Sequence, residues 1–142
     1  MKFNSKGLAI EELFFKMNIN FDPGKTYRVT NRLMQNEQVL DKDGKILKIT
    51  LTAQNVADEG DEQPYEYRAS VFGVFEVEDV TDAEKKDFIL ESIRILHPFL
   101  RAAVANLTVN AYVPPVILPV LTDIIFNEKD AYEFVVDDKN IN

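Results

Sequence analysis

A long apolar stripe with helical spacing, in the second half of the chain, is the feature that most constrains the fold. Its members recur at intervals of three or four residues, which is the period of one face of an α-helix. The stripe consists of Ile89, Ile93, Leu96, Leu100, Ala103, Leu107 and Ala111. It predicts a long helix whose apolar face packs against another part of the protein.

Prolines interrupt and then end this helical pattern. Pro98 lies in the middle of the stripe, where a proline ring removes an N–H donor and clashes with the preceding turn. We therefore expect a kink at Pro98, or two helices that meet there with Pro98 in the first turn of the second. After Tyr112, Pro114 and Pro115 are incompatible with a helix. They predict an extended apolar segment.

Four segments in the first half show the alternation of apolar and polar residues that is typical of β-strands with one buried face. They span residues 13–21, 27–34, 46–56 and 65–78. Because the strands precede the helix, the order predicts an α+β domain with a four-stranded antiparallel sheet.

Single residues refine this prediction of the sheet. Asp43 and Gly44 form a turn dipeptide that predicts a hairpin between the second and third strands. Asn31 is a polar residue on the apolar side of the second strand. Phe72 and Val74 are apolar residues on the otherwise polar side of the fourth strand. They are compatible with a contact surface or with isolated exposed hydrophobic residues, which are common on proteins.

The ends of the helical region also carry local signals. Thr81 and Glu84 have the spacing of a capping box, which places the start of the long helix directly after Thr81. Thr122 and Asp123 predict the cap of a short C-terminal helix. The acidic residues 127–142 are expected to fray.

Composition limits the class of protein. With 142 residues, 46% of them hydrophobic, the chain is expected to form one domain, 1–142, with a core of its own. Its net charge of −8 disfavours nucleic acids and anionic lipids as partners. The sequence shows neither a signal-like N-terminus nor an apolar run of membrane-spanning length, so we expect a cytoplasmic protein.

The sequence offers little for catalysis. It has no cysteine, which excludes disulfides, thiolate nucleophiles and cysteine-ligated metals. The single histidine, His97, has no nucleophile or carboxylate at a supporting spacing, and we expect it to be structural. Residues 41–44 resemble a calcium loop only faintly, and the acidic residues 58–62 are typical of a solvated turn. We therefore expect no enzyme, no metal and no cofactor.

Self-association follows from the apolar surface that one helix cannot cover. A four-stranded sheet has one apolar face, and a single helix covers only part of it. The helix also carries large or β-branched apolar residues off its stripe, namely Phe88, Phe99, Val104 and Val109. We therefore predict that the chain oligomerises through the helix. The residues expected at this interface are Ile89, Ile93, Leu96, Leu100, Ala103 and Leu107.

Two stretches resemble the SecB family of protein-export chaperones. Residues 95–101 read Ile-Leu-His-Pro-Phe-Leu-Arg, which is similar to the family's apolar pair, aromatic–proline–aromatic motif and early arginine, with His97 in place of an aromatic. Residues 114–123, Pro-Pro-Val-Ile-Leu-Pro-Val-Leu-Thr-Asp, resemble the family's apolar loop and the start of its last helix. Residues 19–23 resemble the end of its first strand, so the resemblance covers nearly the whole chain.

This resemblance implies a fold, an assembly and an activity. SecB-like proteins have a four-stranded antiparallel sheet and a long helix, and they assemble as a homotetramer, a dimer of dimers. They act as holdases that bind unfolded polypeptides without ATP and keep them competent for export. The resemblance implies a client-binding groove formed by Val113, Val116, Ile117, Leu118, Val120 and Leu121, with Phe72 and Val74 as further candidates for client contact.

The resemblance also bears on other partners. Family members dock the SecA motor on acidic residues of the outer sheet face. Asp22 retains one such acid, whereas Asn18 and Arg68 stand where others are expected. This weakens the expectation of SecA binding. A SecB-like chaperone for another client, such as the antitoxin of a toxin–antitoxin system, is therefore an alternative to the leading hypothesis, a holdase for unfolded preproteins.

Two further alternatives belong to different classes. One is a small-molecule or lipid-binding protein that uses the space between sheet and helix as a closed pocket. The other is a structural or regulatory dimer without a client. The size of the protein in solution and its binding to a long extended peptide discriminate among these alternatives.

Overall fold

The computed structural model describes residues 2–25, 27, 29–56, 62–78, 80–120 and 131–136. These residues form a five-stranded antiparallel sheet and one long helix, α1. The strands are β1 (Lys2–Met17), β2 (Val29–Val39), β3 (Ile46–Val56), β4 (Tyr65–Glu78) and β5 (Ala131–Val136), and the helix spans Asp82–Asn110. The α+β class, the antiparallel sheet and the long helix after it are thus confirmed.

The middle of the sheet agrees most closely with the sequence pattern. The strand order is β1-β4-β3-β2-β5, and β3 and β4 have the bounds predicted for them. The β2–β3 hairpin turns where Asp43 and Gly44 predict it. The carboxylate of Asp41 accepts the backbone N–H groups of Lys45 and Ile46, both at 2.9 Å, and Gly44 has φ 70°, which favours glycine.

The prediction for the first strand is wrong in its bounds. β1 runs from Lys2 to Met17 and pairs with β4 over its whole length, with two register shifts. Its polar N-terminal half carries no clear alternation, so pairing with the buried strand β4 specifies it instead. Residues 18–24 form turns, in which Asn18 Oδ1 accepts the N–H of Asn20 at 3.1 Å. Ile19, predicted to be inward, is 90% exposed.

The C-terminal region is also more ordered than predicted. Residues 131–136 form β5, which pairs with β2 in an antiparallel register from Val29↔Val136 to Met34↔Ala131. The expectation that 127–142 frays is therefore wrong for these six residues, because they complete the edge of the sheet beside β2. The short helix predicted from Thr122 lies outside the described residues. β2 itself ends at Val39, beyond its predicted end.

The core lies between α1 and the inward face of the sheet. Its fully or almost fully buried apolar residues are Val29, Leu33, Leu47, Ile49, Leu51, Ala53, Tyr65, Tyr67, Ala69, Val71, Phe75, Val77, Phe88, Ile93, Leu96, Leu100, Val104, Val116 and Leu118. Asn31, the polar residue on the apolar side of β2, is buried there, and the Tyr67 hydroxyl donates a hydrogen bond to its Oδ1. Burial raises the pKa of Tyr67, so the phenol stays protonated.

The long helix begins as predicted and passes through its proline without a break. The Thr81 side chain accepts the N–H of Glu84, and the Glu84 carboxylate accepts the N–H of Thr81, which completes the capping box. Pro98 lies inside one continuous helix, so the two-helix alternative is wrong. A single missing N–H removes only one bond of the helical ladder, whereas apolar packing holds both halves. The kink stays a prediction.

The apolar stripe packs inside the molecule. Ile93, Leu96 and Leu100 are buried against the sheet of the same chain, and Ala103 is nearly so. Ile89 and Leu107 are partly buried, and they contact the same core. The inward face of the sheet thus already covers Ile93, Leu96 and Leu100, and the assignment of the stripe to an oligomer interface stays a prediction.

In the part of the chain that the structure describes, no helix combines the length and the apolar content that crossing a membrane requires.

Gly73 of β4 allows the close contact between sheet and helix, and we expect Gly73→Ala to destabilise the fold. An added Cβ would lie 2.8 Å from the Phe75 ring and 3.2 Å from Leu96 Cδ2. Both side chains are fully buried, so relieving the overlap costs about 1–3 kcal/mol of unfolding free energy. Urea unfolding measures this loss.

Gly7→Ala is the matched control for this measurement. Gly7 also lies in a strand, but a Cβ there meets no atom within 4 Å. Its unfolding free energy should change by less than about 0.5 kcal/mol. Equal effects of the two substitutions would contradict the steric explanation.

Candidate functional site

The chain after α1 folds back along the helix. We call residues 113–120 the return segment. The N–H of Val116 donates to Thr108 Oγ1 at 2.9 Å, and Arg101 Nε donates to the carbonyl oxygen of Leu118 at 2.8 Å. As the segment advances from 116 to 118, its helix partner moves back from 108 to 101. The return segment therefore runs antiparallel to α1, without helical structure, as Pro114 and Pro115 predict.

Thr108 is the buried polar group that makes this attachment possible. Its hydroxyl donates to the carbonyl of Val104 at 2.9 Å, inside its own helix, and accepts the N–H of Val116. The Thr108 hydroxyl and the Val116 N–H thus both have hydrogen-bond partners in a site that water does not reach.

The return segment divides its apolar residues between the core and the surface. Val116 and Leu118 are buried in the core, and Val113 packs partly against it. Ile117 and Val120 remain 46% and 47% exposed. Val116 and Leu118 are thus buried by the chain itself, and their contact with a client stays a prediction. Leu121 lies outside the described residues.

An open groove of about 610 Å³ lies between α1 and the return segment. Ile117 and Val120 line one side of it. The helix lines the other side with Arg94, His97, Pro98, Arg101, Ala102 and Ala105. These helical residues were absent from the sequence-based site, although the small Ala102 and Ala105 at helical spacing are a signal that another element can approach.

His97 is the buried titratable group of this groove. It is 4% exposed. Burial, and then the neighbouring Arg101 guanidinium, lower the pKa of its imidazole, against the effect of a hydrogen bond to the Pro119 backbone. The imidazole is therefore neutral at neutral pH. Its Nε2 has no hydrogen-bond partner among the described residues.

Phe72 and Val74 do not belong to this groove. They alternate along β4 with the inward residues Val71 and Phe75, so they lie on the face of the sheet that is turned away from α1. Both are half-buried, and the Lys48 ammonium lies 4.7 Å from the centre of the Phe72 ring. Their contact with a client stays a prediction.

The outer face of the sheet has its charges arranged in pairs. Lys6 pairs with Glu76 at 2.8 Å, and Arg68 pairs with Glu12 at 3.4 Å. Lys48 pairs with Glu11. The acids of this face are thus partly neutralised by neighbouring cations.

Asp22 and Asn18, at two of the positions compared with SecA-binding acids, form hydrogen bonds within the chain. Asp22 is exposed, and its Oδ1 accepts the N–H of Gly24 at 2.9 Å inside a turn. The Asn18 side-chain amide donates to the carbonyl of Gln63 at 3.0 Å. A contact of Asp22 with SecA stays a prediction.

A second cavity, of about 670 Å³, lies at the C-terminal end of β1. Its lining combines polar and apolar groups, from Lys16, Met17, Asn18, Ile19, Asn20, Asn55, Gln63, Tyr65 and Glu66. Within the described ranges, no three His, Cys, Asp or Glu side chains come together as metal ligands do.

The lowered pKa of His97 predicts that acidification destabilises the fold. The unfolded imidazole takes up a proton near its ordinary pKa of 6.5, whereas the folded one does so only at lower pH. Between these values the unfolded state binds more protons, so the unfolding free energy falls as the pH decreases below 6.5, until the folded pKa is passed. Urea midpoints measured from pH 7.5 to 5 report this slope.

The variant His97→Gln isolates the contribution of the imidazole. It keeps every carboxylate, so its remaining pH dependence is that of the acidic groups alone. We expect a shallower slope just below pH 6.5 than in the parent protein. Identical slopes in the two proteins would show that the imidazole titrates normally.

The comparisons with known proteins agree with this geometry. A family model described as preprotein translocase subunit SecB matches residues 18–132. The uncharacterized protein MJ0357 of Methanocaldococcus jannaschii is 31% identical over 105 residues, which are 73% of this chain and 61% of that protein. This chain thus spans less than two thirds of the length of that relative.

A solved structure is similar in fold. It is the Rv1957 SecB-like chaperone of Mycobacterium tuberculosis, in complex with a ChAD peptide from the Rv1956 HigA1 antitoxin. Its TM-score is 0.59 at 16% identity, over 84% of this chain and 90% of that chain. The family match includes β2, β3, β4, α1 and the return segment. The resemblance in the sequence is thereby confirmed, and the chain belongs to the SecB family.

Proposed function

We propose that this protein is an ATP-independent holdase chaperone of the cytoplasm, which binds unfolded polypeptides and is not an enzyme. The observation that carries this proposal is the open groove between α1 and the return segment. Ile117 and Val120 are held there in a half-exposed state, while their neighbours Val116 and Leu118 are buried. A fixed segment that keeps apolar side chains in contact with water is typical of a binding surface.

The hydrophobic effect drives client binding in this groove. Apolar side chains of an unfolded polypeptide lose contact with water against Ile117, Val120 and the Pro98–Ala105 side of the helix. Complete burial of one large apolar side chain is worth about 1.5–3 kcal/mol. A disordered client loses conformational entropy when it binds, so one groove alone gives modest affinity. Engagement of several grooves by one long client raises the avidity.

Several grooves require several chains, and we propose a homotetramer built as a dimer of dimers. Large apolar residues are exposed away from the groove, on β1 at Ile10, Leu13 and Met17 and on α1 at Phe99 and Val109. These residues support self-association.

The proposed clients are precursor polypeptides that are kept unfolded for export. A dedicated client, such as an antitoxin, is the second candidate. The outer face of the sheet supports this second candidate. Arg68 stands there in place of an acid expected to bind SecA, and it pairs with Glu12. The similar Rv1957 chaperone was solved with an antitoxin peptide. A small ligand in a closed pocket is not favoured, because the groove is open to solvent.

An aggregation assay with groove variants tests the holdase function. A denatured secretory precursor is diluted into buffer with the protein and without nucleotide, and light scattering is followed. The double variant Ile117→Ser/Val120→Ser removes the exposed apolar surface of the return segment. It should need roughly ten times more protein than the parent for equal suppression, since the lost burial is of the order of 1.4 kcal/mol.

Val39→Ser/Leu40→Ser is the matched control. These residues are exposed to a similar extent, 53% and 47%, but they lie at the β2–β3 hairpin. This variant should act like the parent. Equal losses in both variants would remove the groove from the proposal, and unchanged scattering with every client would refute the holdase function.

Light scattering after size-exclusion chromatography tests the assembly. We expect a particle of four times the mass of the chain. The variant Phe99→Glu places a charge on the exposed side of α1 and should shift the population toward dimers or monomers. A parent protein that elutes as a monomer at micromolar concentration would contradict the tetramer.

A further inference from the structure

The strand β5 occupies an edge of the sheet that the helix does not cover. In the order β1-β4-β3-β2-β5 it is the last strand, and it pairs with β2 from Val29↔Val136 to Met34↔Ala131. The helix α1 packs on β4, β3 and β1, and among the described elements neither β2 nor β5 has a comparable contact with it. Displacement of β5 therefore requires no movement of α1.

Pairing with a single neighbour attaches β5 weakly. The strands β3 and β4 are paired on both sides, and they contribute most of the sheet's buried apolar residues. Among the described strands β5 has one paired neighbour. An edge element with few contacts opens locally at a small fraction of the free energy that unfolds the whole domain. We therefore expect β5 to detach while the other strands and α1 stay folded.

The sequence of β5 is that of a segment which a holdase binds. Residues 131–136 read Ala-Tyr-Glu-Phe-Val-Val, and all but the glutamate are apolar or aromatic. Aromatic and β-branched residues favour the extended conformation. An exposed strand edge is a template for extended segments of this kind. The strand β5 thus has the composition of the client that it would exclude from β2.

Replacement of β5 by a client strand conserves the hydrogen bonds of this edge. Backbone groups pair without regard to the side chains, so an extended client can form the bonds with β2 that β5 forms now. The net contribution of the main chain to the exchange is then small. Only residues 121–130 separate β5 from the return segment, and this short tether gives β5 a high effective concentration beside β2. A client must therefore compete with a tethered segment.

We propose that β5 is an autoinhibitory strand. It covers the edge of β2 between Val29 and Met34, and an unfolded polypeptide gains this edge as a binding surface, in addition to the groove, when β5 detaches. The family match ends at residue 132, so most of β5 lies beyond the part of the chain that matches. This inference rests on the proposed function, because it concerns the binding of the same clients.

A disulfide that locks β5 onto β2 tests the proposal. Thr30 and Val135 are directly opposite in the register, and the Cα atoms of such a pair are about 4.5–5.5 Å apart, a distance that a disulfide spans. The chain has no cysteine of its own, so in Thr30→Cys/Val135→Cys only the introduced pair can form. The oxidised form should bind an unfolded client about ten times more weakly than the reduced form, since one of two surfaces is lost.

Fluorescence anisotropy measures these affinities. The probe is a labelled protein that is kept unfolded by alkylation of its cysteines, so it cannot exchange thiols with the locked strand. The reduced form has the same sequence as the oxidised form and is therefore its control. It should bind the probe like the parent.

Prolines in β5 test the proposal in the opposite direction. Tyr132→Pro/Val135→Pro in the full-length chain fixes φ at about −65° twice and removes two N–H donors. The bonding pattern of a strand alternates along the chain, so one of these two positions donates toward β2. This variant should bind the probe about ten times more tightly than the parent, because β5 no longer competes. Tyr132→Phe/Val135→Ile keeps the donors and the strand preference, and it should bind like the parent.

The outcomes separate this inference from the holdase function. Equal affinities of the oxidised and reduced forms, or a proline variant that binds no more tightly than the parent, overturn the autoinhibition and leave the holdase function intact. If light scattering shows that the proline variant changes the oligomeric mass, β5 serves assembly and the inference is overturned. Failure of the parent and of every variant to bind the probe refutes the proposed function itself. The locked form decides the question if the proline variant does not fold.

Discussion

The contact between α1 and the centre of the sheet is the interaction on which the rest of the structure depends. Gly73 has no side chain, so the Phe75 ring lies over it and Leu96 of the helix approaches closely. Phe75 also meets Phe88 of the helix edge to face, with ring centres 6.0 Å apart. Close packing of this kind fixes the position of the helix, and with it every residue on the outward side of α1.

The groove follows from that fixed helix. Because the stripe around Leu96 and Leu100 faces the sheet, the side that carries His97 is left to contact the return segment. Two hydrogen bonds, to Thr108 and from Arg101, attach this segment at neighbouring positions. Successive side chains of an extended chain point to opposite sides. Because Val116 and Leu118 point into the core, Ile117 between them points to the surface.

Charge distinguishes the two surfaces of the domain. On the outer face of the sheet, cations lie beside acids, as in the pair of Lys6 and Glu76, and the field is locally balanced. The groove is lined by Arg94 and Arg101 and by no carboxylate of the described residues, although Arg94 pairs with Glu91 beside it. A half-buried guanidinium loses less of its field to water than an exposed one. The positive charge of the groove that lacks a carboxylate partner among the described residues is therefore that of Arg101.

The sequence alone determined the elements whose signals are local. The strand at 46–56 and the capping box at Thr81 agree with the structure. Both are encoded within a few neighbouring residues, the strand by alternating apolar and polar side chains and the cap by Thr81 and Glu84. The tertiary structure alone decided that Ile19 is exposed, that 131–136 pairs with β2, and that Leu96 faces the chain's own sheet. The physical reason is that an apolar period shows that a face prefers burial, whereas it does not show which surface buries it.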